Sequence, residues 1–188
     1  MLRFMGERIR AWLREHGKTV LAAVAMVLAM VFVLRLVNRP YICACGYVKL
    51  WQGMLGGPDG SSQHLFDPFS FAHALHGFVF FALLSATMKR RSMGSRVLVA
   101  ILLEIAWEIF ENGQFAIEGF RVATGRYRGD SIVNSLGDVV SMLLGFWAAL
   151  RWSRRTSIAA AVVCAVLFVV SLRYGLFPGI DVRLFRAG

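Results

Sequence analysis

Residues 104–115 read EIAWEIFENGQF, and they follow directly on VLVAILL at residues 97–103. The apolar run is membrane-like, yet within eight residues it is joined by Glu104, Glu108 and Glu111, followed at once by Asn112. Residues three and four apart are neighbours on a helix surface, so the three carboxylates share one face. An isolated acid at the centre of a membrane helix costs about 2.5–3.5 kcal/mol even on the mildest insertion scales. Four such acids, counting Asp138, require neutralisation, pairing or hydration, and that requirement organises the rest of the reading.

The chain has 188 residues, of which 57% are hydrophobic, and a formal net charge of +10. That apolar content is high for a soluble domain of this length. The basic residues fall in short clusters between long apolar segments, with no basic stripe interleaved with exposed aromatics, which argues against nucleic acid as a partner.

About 20 apolar residues span a bilayer as a helix. On that measure we expect an all-α, single-domain membrane bundle over residues 1–188, with transmembrane spans near 18–37, 69–88, 97–118, 131–150 and 157–172. The first is too long for a signal-peptide core and is read as an uncleaved span. Lysine and arginine set the orientation. The arm with Arg3, Arg8, Arg10, Arg14 and Lys18, the loop with Lys89, Arg90, Arg91 and Arg96, and the loop with Arg151, Arg154 and Arg155 must share one side. The expected topology is therefore five spans in a bacterial inner membrane, N-terminus cytoplasmic and C-terminus outside.

The loop at residues 39–68 then lies outside. Its centre, GGPDGSS at residues 56–62, argues against a compact extra domain. YVKLWQGML, residues 47–55, could form a short interfacial helix with Trp51 at headgroup depth. Cys43 and Cys45 are one residue apart and could pair only in a strained ring; metal binding and an inter-chain bridge stay open. RVATGRYRGDS, residues 121–131, carries Arg121, Arg126 and Arg128 where few bases are expected. Tolerated loop charge is one reading; an anion-binding edge is the other, with Arg126 and Arg128 as substrate-binding residues, because guanidinium suits phosphate and carboxylate.

Polar residues recur at one-turn spacing on two further spans: His73 and His76 on the second, and Asp130, Asn134 and Asp138 on the fourth. A rise of about 1.5 Å per residue puts His73, His76, Glu108, Glu111, Asn134 and Asp138 in one layer of the outer half of the membrane, with Glu104 deeper and Asp130 at the rim. Asp130 or Ser131 caps the fourth span. Bundle metal sites are built from such carboxylates and imidazoles on facing helices. The candidate metal ligands are His73, His76, Glu108, Glu111 and Asp138, holding a divalent ion. Glu104 is the candidate catalytic base, and Asp130 and Asn134 complete a polar network.

Three functions fit these residues. The first is metal-assisted hydrolysis or group transfer on a lipid or lipid-linked envelope substrate. The second is a non-enzymatic accessory or assembly protein whose acids form a structural network. The third is a proton or ion pathway, which the uninterrupted spans disfavour.

FDPFSFAHALHGF (66–78), EIAWEIFENGQF (104–115) and YRGDSIVNSLGDV (127–139), with YICACGYVKLW (41–51), resemble an uncharacterised family of bacterial multi-pass membrane proteins known only as a domain of unknown function. The resemblance runs from about Pro40 to Leu150. It implies a membrane-embedded chain and no catalytic residues. A looser likeness of architecture, an intramembrane His with an acidic helix and an Asp–Asn–Gly helix, extends to the glycopeptide-resistance protein Z-like membrane families.

Overall fold

A computed structural model describes residues 2–53, 60–124, 127–174 and 183–186. Among them are six helices: α1 (Leu2–Leu36), α2 (Ser70–Thr87), α3 (Met93–Glu111), α4 (Gln114–Thr124), α5 (Ile132–Arg151) and α6 (Arg154–Tyr174). Two short strands, β1 (Tyr47–Lys49) and β2 (Arg183–Arg186), pair antiparallel.

Among the described residues, four helical segments are long and apolar enough to cross a membrane: His16–Leu36, Ser70–Thr87, Ile132–Arg151 and Arg154–Tyr174. They coincide with the first, second, fourth and fifth expected spans. The third differs. α3 has 19 residues but carries Arg96, Glu104, Glu108 and Glu111, and it stops short of Glu118. Asn112 is its C-cap, Gly113 follows, and α4 begins at Gln114. The helix breaks there because the Asn112 side chain is committed to tertiary hydrogen bonds described below.

α2 and α5 form the tightest helix pair. A Cβ on Gly77 would collide with backbone atoms of Met142 and Phe146, and one on Gly145 with the Ala74 carbonyl. Small residues at both positions let the backbones approach closely, as in membrane helix pairs generally. Met30, Leu34, Leu84, Ile101, Ile105, Met142 and Phe146 fill the apolar core between α1, α2, α3 and α5. The outward faces of α1 and α6 expose Leu21, Leu28, Phe32, Val162, Val166 and Val169.

The 39–68 loop is more structured than its turn-rich centre suggests. Tyr47–Lys49 is a strand and not the start of an interfacial helix. Trp51 bridges to Phe66, with Gln52 N–H donating to the Phe66 carbonyl at 2.8 Å. Ser61, Ser62, His64 and Asp67 are buried against the helical bundle. Cys43 and Cys45 are joined as a disulfide with their Cα atoms 5.1 Å apart, in place of the inter-chain bridge left open by the sequence.

Candidate functional site

α2, α3 and α5 each direct one polar face inward. Glu104, Glu108 and Glu111 are all buried, as are His73, Asn134 and Asp138; His76 is partly buried. The helical spacing in the sequence thus translates into one cluster, and its internal pairing is specific.

Glu104 holds both imidazoles. His73 Nδ1 donates to Glu104 Oε1 at 2.5 Å, and His76 Nδ1 donates to Glu104 Oε2 at 3.0 Å. Both oxygens of this fully buried carboxylate are therefore engaged, and these contacts orient the ring of each histidine. His73 Nε2 lies 3.8 Å from Asp138 Oδ2. Asp138 Oδ1 accepts from Ser70 Oγ at 2.8 Å.

Glu108 is the anomaly. It is 0% exposed, and neither carboxylate oxygen makes a hydrogen bond of normal geometry, although the Ser135 hydroxyl lies beside it. Buried polar groups are otherwise satisfied almost without exception, and an orphaned charge is expensive. Its Oε1 is 3.6 Å from His73 Nδ1. His73, Glu108 and Glu111 each offer a ligand atom, all within 4.8 Å of one another, and His73, His76 and Glu104 form a second such group. These groups could hold a metal ion. Carboxylate oxygen with one imidazole suits a hard or borderline divalent ion.

Towards the loops the network becomes structural. Asn112 Nδ2 donates to Asp130 Oδ2 at 2.7 Å, and the Asp130 N–H donates to Asn112 Oδ1 at 2.8 Å. Tyr127 Oη donates to Asp130 Oδ1 at 2.9 Å. Burial raises the Asp130 carboxyl above the usual range against the opposing pull of these hydrogen bonds, and burial with the Asp130 charge pushes the Tyr127 phenol up. Ser131, not Asp130, caps α5 by accepting from Asn134 N–H. Asn134 Nδ2 donates to the His64 carbonyl at 2.8 Å, tying the outer loop to α5.

Asp67 joins from that loop. Its Oδ1 accepts from Phe69 N–H at 2.7 Å and its Oδ2 from Ser62 Oγ at 3.0 Å, while its own N–H donates to Ser70 Oγ. Burial, reinforced by the Asp130 charge, pushes its carboxyl up to about 6. Asp67, Ser70 and Tyr127 were not singled out from the sequence. The available signal was Ser70 lying one turn before His73; nothing local marks Asp67 or Tyr127.

A cavity of about 260 Å³ opens on the cluster. His73, His76, Glu111, Asp130 and Asp138 form its polar side; Phe69, Trp107, Phe120 and Phe168 form its apolar side. Glu104 and Glu108 lie behind this lining. Arg128 is exposed and borders a separate, larger cavity. Arg126 lies outside the described residues.

Residues 34–182 match the family described as "Protein of unknown function (DUF2585)". The chain is 40% identical over 163 residues to a UPF0314 protein of Rhizobium etli, covering 86% of this chain and 81% of that one. A UPF0314 protein of Paracoccus denitrificans is 40% identical over 153 residues, 80% of this chain and 78% of its own. One from Sphingopyxis alaskensis is 37% identical over 154 residues, 80% and 81% respectively. No solved structure matches the chain.

Proposed function

The chain belongs to the DUF2585 family of bacterial proteins of unknown function, and from its buried cluster we propose a divalent-metal enzyme of the inner membrane acting on a lipid or lipid-linked envelope substrate. The single observation that carries this reading is Glu108: fully buried, with neither oxygen in a hydrogen bond of normal geometry, and grouped with His73 and Glu111 so that one ligand atom of each lies within 4.8 Å of the others. A cation supplied there would satisfy that carboxylate.

In this reading His73, Glu108 and Glu111 are the core ligands, with Asp138 and His76 completing the coordination. The chemistry is hydrolysis or group transfer, the ion polarising the substrate or activating water. Glu104, with both oxygens taken by imidazoles, orients the histidines in this reading instead of serving as the base expected of it. The half-aromatic, half-ionic cavity supports an amphiphilic substrate. The topology is five crossings with the charge-bearing α3 as the third, N-terminus cytoplasmic and C-terminus outside, which the clustering of lysine and arginine supports.

The test is elemental analysis of detergent-purified protein. Near-stoichiometric metal in the wild type, lost in Glu108→Gln and His73→Ala variants that remain folded, is the expected result. A metal-free wild type whose stability is unmoved by added divalent ions would sink the reading.

A second reading has its own observation. Ser70, Asp138, His73, Glu104 and His76 form a chain of close side-chain polar contacts leading into the bundle. Such a chain suits a proton relay. It requires proton flux in proteoliposomes that Glu104→Gln abolishes and that chelators leave intact.

A further inference from the structure

Beside the buried cluster lies a second, larger cavity of about 1430 Å³, bordered by Arg39, Arg121 and Arg128. Among its described lining residues Glu118 is the only carboxylate, and no salt bridge to any of the three arginines occurs among the described residues. Ser61 borders both cavities, and Asn112 lines this one while its partner Asp130 lines the smaller, so the two adjoin.

Arg39 is built in. Its Nη1 donates to the Arg128 carbonyl at 2.5 Å. Gly129 has φ +86°, and a Cβ there would run into the Arg39 guanidinium. Glycine at 129 serves two needs at once: a left-handed backbone and room for the guanidinium to lie against it. Gln63 Nε2 donates to the Gly129 carbonyl at 2.9 Å and holds the same turn from the outer loop. Despite this docking, Arg39 Nε is buried without a hydrogen-bond partner, so the site retains an unused donor.

We propose that Arg39, Arg121 and Arg128 form a binding site for a phosphate group in the larger cavity, next to the buried His/Glu/Asp cluster. Guanidinium forks match phosphate oxygens in geometry and charge, and the docked fork of Arg39 loses little freedom on binding. The inference deepens the proposed function, on which it rests for its substrate class: the substrate is a phosphate-bearing amphiphile, its phosphate held on the arginines beside the cluster. Arg39 becomes a specificity residue although it lies far in sequence from the other two.

The experiment is calorimetric titration of inorganic phosphate into chelator-treated, detergent-purified full-length chain at fixed ionic strength. The wild type is compared with Arg121→Gln/Arg128→Gln and with Glu108→Gln. Both arginine side chains are exposed, and the Arg128 carbonyl that anchors Arg39 is untouched, so the double variant is expected to fold. Phosphate binding that weakens by about tenfold or more in the double variant and is retained in Glu108→Gln supports the site. Displacement of bound phosphate by short-chain phosphatidic acid, but not by short-chain phosphatidylcholine, assigns it to a headgroup phosphate; no displacement by either assigns it to free phosphate. No binding by the wild type, undiminished binding in the double variant, or loss of binding in Glu108→Gln overturns the proposal. Because the protein is metal-free throughout, a failed metal test leaves this result standing, and a failed phosphate test leaves the metal site standing.

Discussion

Asn112 and Asp130 grip each other twice, the Asn112 amide donating to the Asp130 carboxylate and the Asp130 backbone N–H donating back to the Asn112 carbonyl. The pair is buried, and it joins the end of α3 to the turn before α5. Asn112→Ala removes both bonds and leaves the buried Asp130 carboxylate with Tyr127 on Oδ1 but without its amide donor on Oδ2. The expected cost is roughly 2–3 kcal/mol, read as a lower unfolding midpoint in detergent. Asn112→Asp is expected to cost more at neutral pH, because it sets a second carboxylate against Asp130.

The α2–α5 contact is set by glycine. Gly145→Ala and Gly77→Ala each place a methyl against the facing backbone, which cannot rotate away as a side chain can. Each is expected to destabilise by about 1–3 kcal/mol. Gly17→Ala in α1 is the control: a Cβ there meets nothing within 4 Å, and the change is expected to be neutral or to stabilise by about 0.5–1 kcal/mol. Equal losses at all three positions would refute the close-approach argument.

Asp67 gives a pH dependence with a defined sign. Its carboxyl is pushed from 3.8 to about 6 in the folded protein, so the folded state favours the protonated form. Its contribution is fully present below the unfolded value of 3.8 and is lost as pH rises through about 6. Stability is expected to fall across that window in the wild type, and Asp67→Asn is expected to flatten the fall. The measurement is the unfolding midpoint at half-unit pH steps; an unchanged slope in the variant would remove Asp67 as its source.

Glu104 and Glu108 are separable by substitution. Glu104→Gln keeps one hydrogen bond to an imidazole and is expected to weaken metal binding by about 10–100-fold without abolishing it, as loss of an orienting carboxylate does elsewhere. Glu108→Gln is expected to abolish it. In chelator-treated protein, Glu108→Gln is expected to raise stability, since it replaces a buried carboxylate that makes no hydrogen bond of normal geometry. Metal titrations and thermal unfolding of the same two variants check all three expectations.

Cytoplasmic and external reporters fused after Met88, after Arg151 and at the C-terminus test the topology. Cytoplasmic signals at the first two sites and an external signal at the third are expected. A cytoplasmic C-terminus would mean that α3 does not cross.

Four of the membrane-length helices could be read from the chain because the signal is local: a run of apolar side chains and its flanking charges suffice. The acidic face of α3 was equally legible, since helical geometry alone aligns Glu104, Glu108 and Glu111. The break after Glu111 was not. Asn112–Gly113 is a weak stop signal by itself, and what ends the helix is a bond to Asp130, 18 residues away. The fold of the 39–68 loop was hidden for the same reason: its turn-rich composition is local, whereas its burial depends on partners such as Asn134, 70 residues from His64.

The sequence by itself determined that His73, His76, the three glutamates and Asp138 lie on inward helix faces, because periodicity and the cost of burying charge act within each helix. Only the tertiary structure decided their roles. It gave Glu104 to the two histidines, left Glu108 without a hydrogen bond of normal geometry, drew Asp67 and Ser70 in beside Asp138, and set Arg39 against Gly129. Hydrogen bonds form or fail over a few tenths of an ångström, and such distances are fixed by how helices rotate and how loops close over them, which spacing along one helix does not specify.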